Sequence, residues 1–439
     1  MNNIILKTMV LDRSDVIDFL KYLSTDIKKI NLSYNTENFI NSLPDYLSCH
    51  FISIETFILF VGMFKEVLIG YKTKASKINY CLEDVKTAYN YFKWDVEEKK
   101  SFLQNIKVRL YPKHKSGDTS NVKNYRFIQK HNEVQKIIDR CLLSIILTLC
   151  IKEFDNNVFI SCMKENFTKS CVEHATINTL TKNKTVCLDI KDAFNSVNYH
   201  ILYKSLQKLL CVNNTVNLSK IITDEYFLVI LNRKCYYEDT HVPINIGVPQ
   251  GLSSSNFMFS VIMWNILNDF NQTDYKLYLY LQIYVDDIYI KFHFYCSQNL
   301  YYLNKFIDLI EYYRLLLNVS KCCSDKQLGF EYKPILDNTF YLGICFTRDK
   351  TIYNTIILQD YNQKHNLSYT WYDLYSILIR GSSDNKKIIG YLNYKLKPVI
   401  SNNTLINYIK LYCLTYCNLL SMIVSVMTHD HFLYLNKVI

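Results

Sequence analysis

The sequence predicts an α+β fold, and three observations carry that reading. Long stretches place apolar residues at helical spacing, most clearly about Val134–Lys152 and Ser253–Phe270. Short β-prone runs stand apart from them. Thr185–Asp189 ends on an acid, and Leu277–Phe294 alternates apolar and aromatic residues around two central aspartates. The composition is that of a packed protein, with 439 residues, 49% hydrophobic, 21% charged, nine Gly and six Pro. That is chain enough for two or three domains, and neither a disordered nor a collagen-like balance.

In chain order, residues 1–85 read as mixed helical segments with no catalytic signature, and residues 86–104, with Trp94 and Phe102, as a charged amphipathic helix. Tyr111–Lys123, holding Lys113, Lys115, Gly117 and Lys123, reads as a basic, turn-rich stretch. The helix about Val134–Lys152 follows, then the strand Thr185–Asp189 and a helix over Asp192–Leu210. Residues 225–248, rich in Tyr, Val and Ile, read as strand and hairpin. The Ser253–Phe270 helix is entered through a Gly and three Ser, a good start signal. Leu277–Phe294 reads as two strands joined by a tight turn at the acids. After it come a helix over Asn299–Leu317, strands near 326–349, and a mainly helical last 80 residues.

Fifty basic against forty acidic residues give a net charge of +10, which suits a polyanionic partner without proving one. Fifteen Cys in a chain this long, with no secretory signal at its start, read as mostly reduced, buried and structural, so an intracellular place in nucleus or cytoplasm is expected. The apolar run Cys141–Ile151 is too short to span a bilayer; Tyr412–Met427 is marginal and carries Asn418, so no membrane anchor is expected. Cys413, Cys417, His429 and His431 have poor spacing for zinc, and helix packing is the expected role of the two Cys.

The chemistry concentrates in three places. Tyr284-Val285-Asp286-Asp287 sets two adjacent acids inside an apolar run. Burying unpaired carboxylates is expensive, and a divalent metal is the usual compensation. The same four residues also read as a surface hairpin turn. Asp189 ends the run TVCLD, where a third acid at a strand end can meet the pair in an antiparallel sheet. Three carboxylates around two Mg²⁺ ions are what in-line nucleotidyl transfer needs. Alone, Asp189 serves equally as a helix N-cap. In Gly247–Ser255, GVPQGLSSS, two Gly let a backbone approach a ligand closely and the Ser run opens a helix; alone, it is a turn leading to a helix cap.

In this order, the three elements resemble the reverse transcriptases. LDIKDAFNSV resembles the first palm motif, GVPQGLSSS the second and YVDD the third. LNVSKCC and YLGICF are similar to the fourth and fifth, and LYPKHKSGDTSNVKNYRFI resembles the fingers segment that faces the incoming triphosphate. The resemblance covers about residues 105–346. It implies an α+β right-hand polymerase with fingers, an antiparallel-sheet palm and a helical thumb. The division it implies is an N-terminal helical extension 1–85, fingers 86–180, palm 181–350 with a fingers insertion about 205–245, and thumb 351–439. The implied activity is RNA-directed DNA synthesis on a primer 3′-hydroxyl. The implied partners are an RNA template, a DNA or RNA primer and dNTPs, and the implied cofactor is a pair of Mg²⁺ ions, with Mn²⁺ as a substitute.

Carried over by position, the resemblance makes Asp189, Asp286 and Asp287 the catalytic, metal-binding carboxylates, with the backbone carbonyl of Ile190 as a further ligand. Phe194 would lie beneath the incoming sugar and leave no room for a 2′-hydroxyl, with Ala193 close to the nucleotide backbone. Gln250 and Gly251 would position the nucleotide and the template base. Lys113 and Arg126 would neutralise phosphate, and Lys321 would donate a proton to the leaving pyrophosphate. Tyr341, Leu342 and Gly343 would lie near the primer. Read alone, Phe194 is a core ring and the three cations are solvated surface residues.

Asp189 and Gln250 are 61 residues apart, and VNYHILYKSLQKL and the NYRFI stretch resemble the non-LTR retrotransposon and group II intron branch. Phe127 stands where that branch has Pro, QGLSSSN is tighter than its usual form, and YVDD is also common in retroviral and telomerase enzymes. KKIIGYLNYKLKPVI, residues 386–400, is faintly similar to the region after the palm in LTR-type enzymes. A telomerase-like enzyme and a non-catalytic RNA-binding maturase or scaffold are the other readings. The three intact Asp argue against a decayed enzyme.

Overall fold

The structure, a computed structural model, describes residues 11–22, 30, 32, 39–67, 80–115, 117–154, 158–159, 185–244, 247–293 and 296–324, with short strands at 333–334, 339–341 and 344–346. Its contacts divide the chain into two units: Met1–Asn166 with Cys187–Cys322, and Phe167–Val186 with Cys323–Ile439. Helices and sheets mix throughout the first, as predicted for an α+β fold. In chain order the described strands are β1 (Lys107–His114), β2 (Tyr125–Lys130), β3 (Val158–Phe159), β4 (Thr185–Asp189), β5 (Lys234–Tyr237), β6 (Thr240–Val242), β7 (Leu279–Tyr284), β8 (Asp287–Phe292), β9 (Cys323–Ser324), β10 (Lys333–Pro334), β11 (Thr339–Tyr341) and β12 (Ile344–Phe346).

One sheet of the first unit has the order β2-β1-β5-β6. β1 and β2 are antiparallel, from Arg109 opposite Lys130 to His114 opposite Tyr125, and β5 runs parallel to β1. Val108 and Leu110 alternate with exposed neighbours, so one face of β1 is buried. That face packs with Phe127, Tyr237 and Val242 against Val16 and Leu20 of the Arg13–Tyr22 helix. The other sheet places β4, β8, β7 and β3 side by side in that order. β7 and β8 form a hairpin, Leu279 opposite Phe292 to Tyr284 opposite Asp287. Nearly every residue of this hairpin is buried, so both faces are covered. The Ser254–Phe270 helix, also buried nearly all round, occupies the core, as does the apolar Glu133–Cys150 helix. In the second unit, β9 and β10 pair in parallel and β11 and β12 form an antiparallel hairpin.

Several sequence expectations change. The helix expected over 86–104 is two, Leu82–Lys93 and Val96–Asn105. Trp94 is extended and Asp95 starts the second with a capping box. Its carboxylate accepts from the Glu98 N–H at 2.8 Å, and the Glu98 side chain accepts from the Asp95 N–H at 3.0 Å. The basic stretch from Tyr111 is strand as far as His114. The Asp192–Leu210 helix is a single turn, Ala193–Ser196, and a separate helix, Tyr199–Cys211, capped by the Asn198 side chain. The strand material expected from 225 is, up to Leu231, the end of a helix, Val216–Leu231, and only then a hairpin, β5–β6. The helix expected at Asn299–Leu317 runs Ser297–Tyr312. The last 80 residues lie outside the described ones, as do Cys413, Cys417, His429, His431 and the apolar run at 412–427.

Of the ten described cysteines four are buried, four half-buried, and Cys49 and Cys81 exposed, fewer buried than expected. Among the described residues no single helix is long and apolar enough to cross a membrane. One pair, Asp45–Phe51 with Ile54–Gly62, passes by length and composition but is bent by 108°.

Candidate active site

Pairing Tyr284 with Asp287 leaves a two-residue turn, Val285-Asp286, between β7 and β8. Val285 has φ of 57° and is buried. The left-handed region is unfavourable for a β-branched residue, at a cost of about 1–3 kcal/mol. Such turns usually carry Gly first. Here the packed hairpin holds a valine in its place and fixes where Asp286 emerges.

Three carboxylates act on one another there. Burial, then the charge of Asp189, raises the pKa of Asp286, while Arg126 and Lys321 pull it down. Burial raises Asp287 to about 7, with the charges of Asp286 and Asp189 adding to it and Lys321 opposing. Asp189 ends β4; its carbonyl accepts the Asn318 N–H at 2.8 Å, and Lys321 Nζ lies 3.6 Å from its Oδ2. Ile190 is buried and bridges to Leu317. The hydrogen bonds of that bridge use the Asp189 carbonyl and the Lys191 N–H, not the Ile190 carbonyl. Among the described residues no three carboxylate, cysteine or histidine groups converge closely enough to hold an ion as they stand. The donor chemistry nevertheless fits a hard cation, because two half-buried carboxylates beside a third repel one another when ionised and positive charge relieves that repulsion.

An open cleft of about 740 Å³ gathers most of the predicted residues. Asp189, Ile190, Ala193 and Phe194 line it from one side, Gln250 and Gly251 from another, and Arg126, Asp286 and Lys321 from the rest. Asp287 opens β8 and is not on the cleft wall. Phe194 is half-buried with its ring 5.7 Å from that of Phe259. Lys113 stands opposite Arg126 in the β1–β2 ladder but does not line the cleft; Lys115, two residues on, does. Tyr341 lies in the β11–β12 hairpin of the second unit, and Leu342 and Gly343 lie outside the described residues.

The glycines of GVPQG serve contacts within the chain. A Cβ on Gly247, at φ +83°, would come 2.7 Å from the Phe194 carbonyl oxygen. One on Gly251, at φ +147°, would come 2.0 Å from the Gln129 carbonyl oxygen. Freed of side chains, the loop seats on β2, where the Gln129 N–H donates to the Gln250 carbonyl at 2.7 Å. It also meets the turn after β4, where Gln250 Nε2 donates to Asn195 Oδ1 at 3.3 Å.

Sequence reading missed the residues that hold this arrangement. Lys115 pairs with Asp192 at 3.1 Å, and Asp192 itself adopts the left-handed conformation that turns the chain after β4. The Tyr199 hydroxyl donates to the Gly247 carbonyl at 2.9 Å and accepts from buried Arg233 at 2.6 Å. Asp139, inside the buried face of its helix, accepts the Ser254 N–H at 3.1 Å and the Ser254 hydroxyl. Burial raises Asp139 to about 6, the Ser254 bonds opposing. An acid within an apolar helical run was the visible signal for Asp139; nothing comparable marks Arg233.

A family model described as reverse transcriptase (RNA-dependent DNA polymerase) matches residues 111–344, a stretch that takes in every element of the cleft. No curated protein matches the chain. With more than half of its 439 residues under that match, the chain belongs to the reverse transcriptase family and carries its polymerase palm.

Proposed function

We propose that the protein is an RNA-directed DNA polymerase that adds deoxynucleotides to a primer 3′-hydroxyl in this cleft. The observation that carries the proposal is the meeting, in one cleft, of Asp189 and Asp286 with phosphate-suited cations and an aromatic ring, beside half-buried Asp287. Arg126 and Lys115 receive the triphosphate, Arg126 with a fork that can engage two oxygens. The Phe194 ring closes the space a 2′-hydroxyl needs. Gln250 and Gly251, held on β2, position the nucleotide against the template. Asp189, Asp286 and Asp287 hold the two Mg²⁺ ions, which supply a more acidic primer hydroxyl and charge neutralisation of the triphosphate. Lys321, at the cleft wall, donates the proton that the leaving pyrophosphate takes up. The template is RNA and the primer DNA or RNA, held through phosphates by the basic excess.

In this proposal residues 86–180 are fingers, 181–350 palm and 351–439 thumb. The 60 residues between Asp189 and Gln250 include three helices, the first a single turn, and the β5–β6 hairpin, a length that supports the non-LTR and group II intron branch. The test is primer extension with an RNA template, DNA primer, dNTPs and Mg²⁺. Extension by the wild type and its loss in Asp286→Asn are expected, and Phe194→Ala is expected to admit rNTPs. A folded protein that binds the hybrid and extends nothing with Mg²⁺ or Mn²⁺ would overturn the proposal.

A further inference from the structure

A second polar pocket, about 480 Å³, opens in the first unit and shares no lining residue with the cleft. Its walls are the start of the Tyr199–Cys211 helix, Asn265 of the Ser254–Phe270 helix, and Tyr312–Arg314 at the end of the Ser297–Tyr312 helix. Lys204 and Arg314 are both exposed, and neither has an ion-pair partner among the described residues. Arg314 has φ of 59°, the left-handed turn that stops its helix and sets the guanidinium at the rim. Tyr312 is 77% exposed, although rings of this size are costly to leave in water.

Asn265 distinguishes this pocket from a patch of surface charge. It is 6% exposed, its Nδ2 donates to Ser205 Oγ at 2.9 Å, and its Oδ1 has no hydrogen-bond partner. Buried polar groups are rarely left unpaired, so this wall lacks one N–H or O–H donor. No carboxylate lines the pocket, which argues against a cation as its occupant. Two free cations suit phosphate, an exposed ring suits a base, and a buried acceptor suits a hydroxyl. One ribonucleotide carries all three.

We propose that this pocket is a second RNA site, holding one nucleotide of single-stranded RNA away from the cleft. Lys204 and Arg314 take the flanking phosphates, Tyr312 stacks on the base, and Asn265 Oδ1 accepts the 2′-hydroxyl, the group that separates RNA from DNA. The proposal requires that the protein meet RNA and does not depend on the cleft being a polymerase.

The test is fluorescence anisotropy of a labelled single-stranded RNA, and of the same sequence as DNA, on the full chain over a range of salt. The cleft is first saturated with an unlabelled, blunt RNA–DNA hybrid. Tyr312→Ala, on an exposed ring, is expected to weaken RNA binding about tenfold, in line with base–aromatic stacking elsewhere. The double variant K204E/R314E is expected to flatten the slope of log affinity on log salt by more than one unit. Asn265→Leu is expected to weaken RNA and leave DNA unchanged. Extension at saturating template–primer should stay within twofold in all three, so a failure here is separable from a failure of the polymerase reading. Unchanged RNA affinity in a folded Tyr312→Ala protein would overturn the site. So would a loss in K204E/R314E no larger than that from a charge reversal at exposed Lys21.

Discussion

Asp287 is where packing and chemistry conflict most sharply. Its folded pKa of about 7 stands above the ordinary 3.8, so the folded state holds the proton more tightly than the unfolded chain does. The stability tied to that proton is complete below about pH 4 and is lost as pH rises through 7. Asp287→Asn should therefore melt higher than wild type by several degrees at pH 8 in chelator, with the gap closing towards pH 4, and should not extend a primer. Melting curves at the two pH values check this; an Asn variant no more stable at pH 8 would mean the carboxylate is not under strain. Gly251 makes a steric prediction. Gly251→Ala should cost several kcal/mol or leave no soluble protein, because the 2.0 Å approach is to backbone that cannot yield. Gly62→Ala, in a helix with nothing within 4 Å of the new Cβ, should stabilise by about 0.5–1 kcal/mol. Denaturant midpoints compare the pair.

At the scale of elements, the Ser254–Phe270 helix begins on the Asp139 carboxylate, and Ser255 and Asn256 of its first turn line the cleft. Asp139→Ala leaves the buried Ser254 N–H without its acceptor and the Ser254 hydroxyl with the Tyr226 hydroxyl alone. It should cost about 1–3 kcal/mol and raise the KM for dNTP more than it lowers kcat. Steady-state extension by the purified variant measures both. The same element shows what sequence patterns convey. Its apolar run and Ser-rich start were legible, as were β4, the β7–β8 hairpin and the turn at the acids, because local spacing carries them. Val216–Leu231 was not. Its β-branched residues favour strand by propensity, and the helix is won by burial on nearly all sides, a tertiary effect that no local window contains. The split at Trp94 does have a local sign, the D-x-x-E capping signal at Asp95.

Across the first unit, the N-terminal helices are tied to the core by an ion pair that lies wholly out of water. Lys99 Nζ lies 3.0 Å from Glu225 on the Val216–Leu231 helix, both side chains fully buried, with Nζ 5.3 Å from the centre of the Tyr91 ring. Removing one partner strands the other's charge. Lys99→Met alone should cost about 3–5 kcal/mol, while Lys99→Met with Glu225→Leu should come close to wild type. Equal loss in single and double variants by chemical denaturation would show that packing, not charge, dominates. The contact spans 126 residues, and two opposite charges so far apart carry no sign in the sequence that they meet. The candidate site divides along the same line. Asp189, Asp286, Phe194, Gln250 and Arg126 sit in motifs and were found. Asp139 and Arg233 act through the fold and were not, and within the motifs Lys115 and Asp192 gave no sign that they pair.

The joint between the GVPQG loop and β2 has a further consequence. The Gln129 amide is sealed by the Gln250 carbonyl, and no side chain at 251 leaves room for the two backbones to slide. The loop that carries Gln250 and the strand that carries Arg126 thus behave as one rigid body. Any change in the width of the cleft would have to pivot elsewhere. In hydrogen exchange the Gln129 amide should be among the slowest, releasing its proton only when the whole unit unfolds.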